Sequence, residues 1–191
     1  PATAKTRKKG KAFTIAVMAF KNTSTDRKFD SLGRGLQSMM TTDLAQVTRF
    51  RLVERGRLNE ILAEHKLARS GYADRRQAVK LGKIVGATHL LGGTFIIHNK
   101  KMRLDARLYS TKTGRIVLAK KVSGEQDAFF ELQKKLVNEV ILALGVKLPP
   151  RQRAKVGRIH TADFKAFRKF SQGLRSFDEK RYLAALEALR A

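Results

Sequence analysis

Leu52-Val53-Glu54-Arg55-Gly56-Arg57-Leu58-Asn59-Glu60-Ile61-Leu62-Ala63-Glu64-His65-Lys66-Leu67 is the stretch that decides the fold, because it joins a strand to a helix. Phe50, Leu52 and Val53 form a short apolar run fit for a buried strand. Leu58, Ile61 and Leu62 then recur at i, i+3 and i+4, the spacing that gathers side chains on one helical face. Between them Glu54-Arg55-Gly56 turns the chain and sets a carboxylate near a helix N-terminus, whose free N–H groups favour negative charge. The unit reads as an α/β crossover.

Upstream, Phe13 to Phe20 is almost continuously apolar on both parities, as an interior strand covered on both faces must be. Lys21 to Asp30 is polar and reads as a loop, closing on a helix start that Asp30 or Ser31 could cap. From Leu32, the residues Leu36, Met39, Met40, Leu44 and Val47 follow helical spacing, with Asp43 the polar exception. Gly33 and Gly35 stand in the first turn. Without a third glycine they do not complete a dinucleotide fingerprint, and close helix-to-sheet packing explains them more simply than a phosphate does.

Downstream, Ser70-Gly71-Tyr72 breaks the pattern, and a further helix runs from Asp74 to about Val85 with Ala78, Leu81 and Val85 inward, capped by Gly86. Thr88 to Ile97 reads as a strand whose Gly92-Gly93 marks a bulge or a helix lying close. In the next strand Met102, Leu104, Ala106 and Leu108 alternate with Arg103, Asp105, Arg107 and Tyr109, so one face is wet or partly covered. Ser110 to Gly114 turns the chain into Arg115 to Val122, completing an antiparallel meander. Phe129, Leu132, Leu136, Val140, Ile141 and Leu144 lay down a long amphipathic helix ending at Gly145. The fold class is α/β: a mixed sheet flanked by helices, in the order β-α-β-α-α-β-β-β-α, followed by a C-terminal α-helical hairpin.

This divides the chain into a basic arm (1–11), an α/β domain (12–146), a basic Pro-containing linker (147–160) and a helix pair (161–191). Pro149-Pro150 bars a helix from running through the linker. In the last segment Phe164, Phe167, Phe170 and Leu174 share one helical face, and Tyr182, Ala185, Leu186 and Leu189 mark a second. Gly173, Tyr182, Ala185 and Leu189 fall where a tetratricopeptide unit places its packing residues, although Ser176 stands where that repeat has an aromatic; a generic helical hairpin explains the same pattern. A single unit cannot bury its own face, so it should dock on the first domain or on further repeats.

The chain has 191 residues and 42% hydrophobic content, enough for a real core, and no apolar run long enough to span a bilayer as a helix. It has no cysteine, which excludes disulfides and thiolate chemistry. Lys and Arg number 41 against 16 acids, a net charge of +25 that predicts attraction to polyanions such as nucleic acid, anionic lipid or lipopolysaccharide. Lys5, Arg7, Lys8, Lys9 and Lys11 of the arm and Arg151, Arg153, Lys155 and Arg158 of the linker are the candidate polyanion contacts. The body of the chain is itself basic.

Chemistry is sparse. His65, His89, His98 and His160 offer no i, i+4 pair and no carboxylate at metal-site spacing. His65 and His89 read as core imidazoles and His98 as solvated. There is no Gly-x-Ser-x-Gly elbow and no phosphate-binding Gly-x-x-x-x-Gly-Lys-Ser/Thr loop. Asp26, Asp30 and Asp43 are explained by capping and a solvated face as readily as by catalysis. Neither enzymatic activity nor a cofactor is expected, and Asn22, Thr23, Asp26, Arg27 and Arg57 are the exposed candidates for contact with a protein partner.

The order of motifs carries a resemblance. Phe13 to Phe20, Leu32-Gly33-Arg34-Gly35-Leu36, Met40-Thr41-Thr42-Asp43-Leu44, Leu52-Val53-Glu54-Arg55, Leu81-Gly82, Leu90-Leu91-Gly92-Gly93, Arg107-Leu108-Tyr109 and Thr113-Gly114-Arg115-Ile116-Val117 resemble the bacterial envelope domain shared by the curli-secretion protein CsgG, FlgO-type flagellar proteins and the TolB amino-terminal domain. The likeness spans about residues 13 to 145. It implies a periplasmic or outer-membrane-associated scaffold or secretion accessory, with envelope proteins as partners and self-association as a further expectation; similar domains in cytoplasmic signalling proteins make the cytoplasm the alternative. The secretion pore's lipid-anchoring cysteine and its inserted barrel segment have no counterpart in this sequence.

Overall fold

The computed structural model describes residues 12–65, 75–159 and 161–190. Its strands are β1 (Phe13–Val17), β2 (Lys21–Asn22), β3 (Phe50–Leu52), β4 (His89–His98), β5 (Lys101–Ser110) and β6 (Ile116–Glu125). Its helices are α1 (Leu32–Ala45), α2 (Arg55–Glu64), α3 (Arg75–Val85), α4 (Phe129–Ala143), α5 (Pro150–Gly157), α6 (Phe164–Asp178) and α7 (Tyr182–Arg190), with short 3-10 turns at Arg27–Phe29 and Gln126–Ala128. The sheet runs β3-β1-β4-β5-β6, parallel at β3-β1-β4 and antiparallel beyond, and β2 pairs parallel with β4 alongside β1.

The two parities of β1 enter two cores. Ile15 and Val17 join the larger one, shared with Leu36, Met40 and Leu44 of α1 and Leu132, Leu136 and Val140 of α4. Ala16 and Met18 join the smaller one, closed by Leu58 and Leu62 of α2 and Ala78 and Leu81 of α3. All of these side chains are almost wholly buried; a fully buried Leu or Met contributes about 1.5–3 kcal/mol of transfer free energy. The α2–α3 layer is short. It covers Leu90 and Tyr109 but leaves the same face of the sheet open farther along, where Ile96, Arg103 and Arg107 stand exposed.

Several local readings change in three dimensions. The polar segment after β1 begins as strand, because Met18 N–H donates to the Leu91 carbonyl and Thr23 N–H to that of Phe95, so the chain keeps riding on β4. Pro150 begins α5 at its first turn, where a missing N–H has no helical partner to lose. The expected linker therefore contains a docked helix, with Val156 buried in the main core and the Gln152 amide donating to Thr48 Oγ1. Ser31 holds the N-cap position of α1 but makes no capping hydrogen bond. The crowding at Gly93 comes from the Phe20 ring and the Asp105 carbonyl, where a Cβ would meet atoms at 2.3 and 2.2 Å, not from a helix; the irregularity in strand register lies instead at Leu108/Tyr109.

Gly33 and Gly35 have separate packing roles. A Cβ on Gly33 would sit 1.8 Å from the Phe20 carbonyl oxygen, so this glycine lets the chain between β1 and β2 and the start of α1 touch backbone to backbone. A Cβ on Gly35 would strike Ser171 and Phe167, so this one admits α6. The helix pair is docked on the α/β domain: Phe167 is buried against Phe129 and Phe130 with ring centroids 4.9 and 5.7 Å apart. Asp163 caps α6 by accepting from the N–H groups of Lys165 and Ala166. Across the hairpin Gly173 receives the Leu189 side chain and the Ala185 carbonyl. Ser70-Gly71-Tyr72 and Asp74 lie outside the described residues.

Candidate interaction site

The loop leaving the carboxyl ends of β1 and β2 is pinned from beneath. The Asn22 amide donates to Asp30 Oδ1 at 2.8 Å and to the Asp26 carbonyl at 3.0 Å, while its oxygen accepts from Ser24 N–H at 2.9 Å. Ser24 Oγ accepts from Ile97 N–H and Thr23 Oγ1 donates to the Phe95 carbonyl. Asn22 and Ser24 are thus buried framework, which corrects the expectation that Asn22 is exposed; Asn satisfies so many groups because its amide both donates and accepts. Thr23, Thr25, Arg27 and Lys28 project as exposed tips, with Asp26 half-buried between them. The Asp26 carboxylate accepts from the Lys28 side chain and N–H, which lowers its pKa below the ordinary 3.8.

Beside this loop lies a polar crevice of about 330 Å³, walled by Lys21, Arg27, Arg34 and Arg175 with Asp30 and Glu179. It occupies the crevice outside the carboxyl ends of parallel strands, where open α/β sheets bind ligands and partners. Arg175, first, and then Arg181 donate to Glu179 and hold its pKa below the usual 4.5. Beyond Arg34 of the crevice wall, the Asp178 carboxylate, 9% exposed, takes Arg55 and Arg34 as ion-pair partners and accepts from the Asn59 amide at 3.1 Å. One residue at the end of α6 thereby ties α1, α2 and the hairpin together.

Arg57 is exposed on α2 and stands outside the lining of this crevice. Arg151, Arg153, Lys155 and Arg158 are all exposed, and α5 spaces Arg151 and Lys155 one helical turn apart. Lys5, Arg7, Lys8, Lys9 and Lys11 lie outside the described residues, as does His160. His65 is exposed at the end of α2, against the core reading, because the helix stops there and its last turn faces solvent. His89 is half-buried, 5.4 Å from the Phe13 ring and 3.0 Å from Thr88 Oγ1, and His98 is exposed. Among the described residues no three His, Asp or Glu side chains gather to hold a metal, and no helix is long and apolar enough to cross a membrane.

Sequence reasoning passed over the open half of the sheet as a site. Register aligns Lys21, Thr94, Asp105 and Lys121 in one row, with Arg103 and Arg107 on either side along β5. Arg103 grips Asp105 through two hydrogen bonds of 2.7 Å. The signal was there, in the charged parity of β5. What hid its extent was that the α2–α3 layer stops short.

The family model for the curli production assembly/transport component CsgG matches residues 2–103, more than half of the chain. The chain belongs to the CsgG family. Among solved structures this CsgG-family chain is similar to the LpoB C-terminal domain from Salmonella enterica, with a TM-score of 0.50 and 19% identity over 61% of this chain and 84% of that one. It is similar also to TolB from Acinetobacter baumannii, with a TM-score of 0.50 and 16% identity over 70% of this chain but 28% of TolB. At these identities the likenesses establish the shared fold. No curated protein matches the chain.

Proposed function

We propose that this CsgG-family chain is a non-enzymatic accessory protein of the cell envelope, working in the periplasm or at the outer membrane through protein contacts. The observation that carries the reading is the strand-end loop, fixed at its base by Asn22, Ser24 and Asp30 and exposed at Thr23 and Arg27. A preorganised loop loses little conformational entropy when a partner closes on it. The helix hairpin, read as tetratricopeptide-type, offers a second contact through Phe177, Tyr182, Leu183 and Leu186, all exposed. Fractionation of the full-length protein, with protease accessibility as control, tests the location; recovery in the cytoplasm refutes it. Pull-down from envelope extract tests the surface, with Arg27→Glu and Thr23→Arg expected to lose a partner that the native chain captures, and unchanged capture refuting the loop's role.

The uncovered sheet half favours a second reading, a polyanion-binding surface. Lys21, Lys101 and Lys121 stand with Arg103 and Arg107 on one face beside two acids, Asp105 and Glu125. Binding of heparin or lipopolysaccharide there should fall steeply as salt rises, and Lys121→Glu should weaken it. Salt-independent binding refutes this reading.

A further inference from the structure

On the face opposite that cationic sheet surface, a concave cavity of about 360 Å³ opens between α1, α4, the segment after α5, and α6. Its walls are chiefly apolar, with Met39, Phe130, Ile159, Phe167 and Phe170 among the lining side chains. Besides the hydroxyls of Ser38, Thr42 and Thr161, its polar lining centres on one hydrogen-bonded cluster. Lys134 Nζ, 13% exposed as a side chain, donates to Asp43 Oδ2 at 2.7 Å and to the Val156 carbonyl at 2.8 Å, and the Gln133 amide donates to the same Asp43 oxygen at 2.9 Å. The bond to Val156 places the ammonium against the chain two residues from Arg158, which also lines the cavity.

The charge balance of that cluster selects a ligand. Asp43 is neutralised by Lys134, whereas the Arg158 side chain has no ion pair or hydrogen bond among the described residues. An ammonium has three N–H donors, of which two are used. The cavity therefore holds a net positive charge with unfilled donors near one boundary and aromatic walls elsewhere. Pockets built so, largely apolar with a few convergent polar groups, bind small molecules whose polar end is fixed and whose apolar body is enclosed. At liquid water's share of about 30 Å³ per molecule, the volume corresponds to roughly a dozen non-hydrogen atoms.

We propose that this cavity binds a single-chain amphiphile with an anionic head, its carboxylate or phosphate beside Arg158 and Lys134 and its chain against Phe130, Phe167 and Phe170. The site is independent of the strand-end loop and of any protein partner. Decanoate, decanol and decyltrimethylammonium, each below its aggregation threshold, are titrated by calorimetry into the full chain. Decanoate is expected to bind saturably at one site and at least tenfold more tightly than decanol, with no heat at that site from the cation. Arg158→Glu should weaken decanoate at least tenfold and leave decanol unchanged. Ala166→Trp, at an exposed position on the cavity wall, should fill the space and abolish both while the far-ultraviolet circular dichroism stays native. Absence of saturable decanoate binding, equal binding of the cation, or full binding by the Ala166→Trp variant overturns the proposal; the last would assign decanoate to the general basic surface.

Discussion

Removing the Asp178 carboxylate should undock the helix hairpin from the α/β domain. Asp178 is 9% exposed as a side chain, and its ion-pair partners Arg34 and Arg55 are 16% and 19% exposed. Exposed pairs contribute about 0.2–1 kcal/mol, whereas stripping one member from a buried pair costs about 3–5 kcal/mol because the other charge is left uncompensated. The two arginines keep some water, so Asp178→Ala should cost about 2–3 kcal/mol. In a chain of this length that lowers Tm by roughly 5–10 °C. With no tryptophan and three tyrosines, urea unfolding is best followed by far-ultraviolet circular dichroism. A double-mutant cycle with Arg55→Ala should show a coupling of about 1–3 kcal/mol. Hydrogen exchange supplies the local readout: amides of α6 and α7 should lose protection while those of β4 and β5 keep theirs. A loss below about 0.5 kcal/mol with α6 protection intact would mean that Phe167 packing alone holds the hairpin.

The packing sets three further outcomes. Gly33→Ala should cost more than about 2 kcal/mol in urea unfolding, since its Cβ would lie 1.8 Å from a backbone oxygen that cannot yield, whereas Gly124→Ala, whose nearest neighbour is a Leu132 methyl at 3.3 Å, should change stability by less than about 1 kcal/mol. Lys134→Met alone leaves Asp43 buried with its charge unmatched and should cost about 3 kcal/mol, while the Asp43→Leu, Lys134→Met double variant should recover most of that in the same assay. Acid should loosen the end of α6: Glu179 has a folded pKa below its ordinary 4.5, so its contribution is present above pH 4.5 and is lost as pH falls through the folded value. Glu179→Gln should flatten that part of the pH–stability profile.

Legibility tracked how local each cause was. β1 is readable because both of its parities are apolar, and the meander because β5 alternates from Lys101 to Leu108 with turn chemistry on either side. The crossover at Leu52–Leu67 reveals the α/β class for the same reason. What escaped depended on partners distant in sequence. Asn22 looks like a loop residue until its backbone pairs with Phe95 of β4, and Asp178 looks like a surface break between helices until Arg55, more than a hundred residues away, pairs with it. Pro150 reads as a breaker in the sequence, but a proline breaks or begins a helix according to whether the next turns find a surface to pack on, and here Val156 reaches the core less than two turns later.

The charge distribution gives self-association and polyanion binding opposite salt dependences. Asp26, Asp30, Asp43, Asp105, Glu139, Asp178 and Glu179 all lie in ion pairs, those of Asp43 and Asp178 largely buried. These seven of the sixteen acids are matched within the fold, and cations such as Lys21, Lys121, Arg151 and Lys155 stand exposed in a chain of net charge +25. Two copies of such a chain repel one another at low ionic strength, so self-association through the apolar hairpin face should strengthen as salt shortens the screening length from about 10 Å at 0.1 M toward about 3 Å at 1 M. A polyanion held by the same cations should do the reverse, since its binding is driven by counterion release. Light scattering of the protein alone and binding of heparin, each measured across one salt series, should therefore move in opposite directions. If both weaken together, self-association is itself electrostatic, and the hairpin face is not the surface that joins the copies.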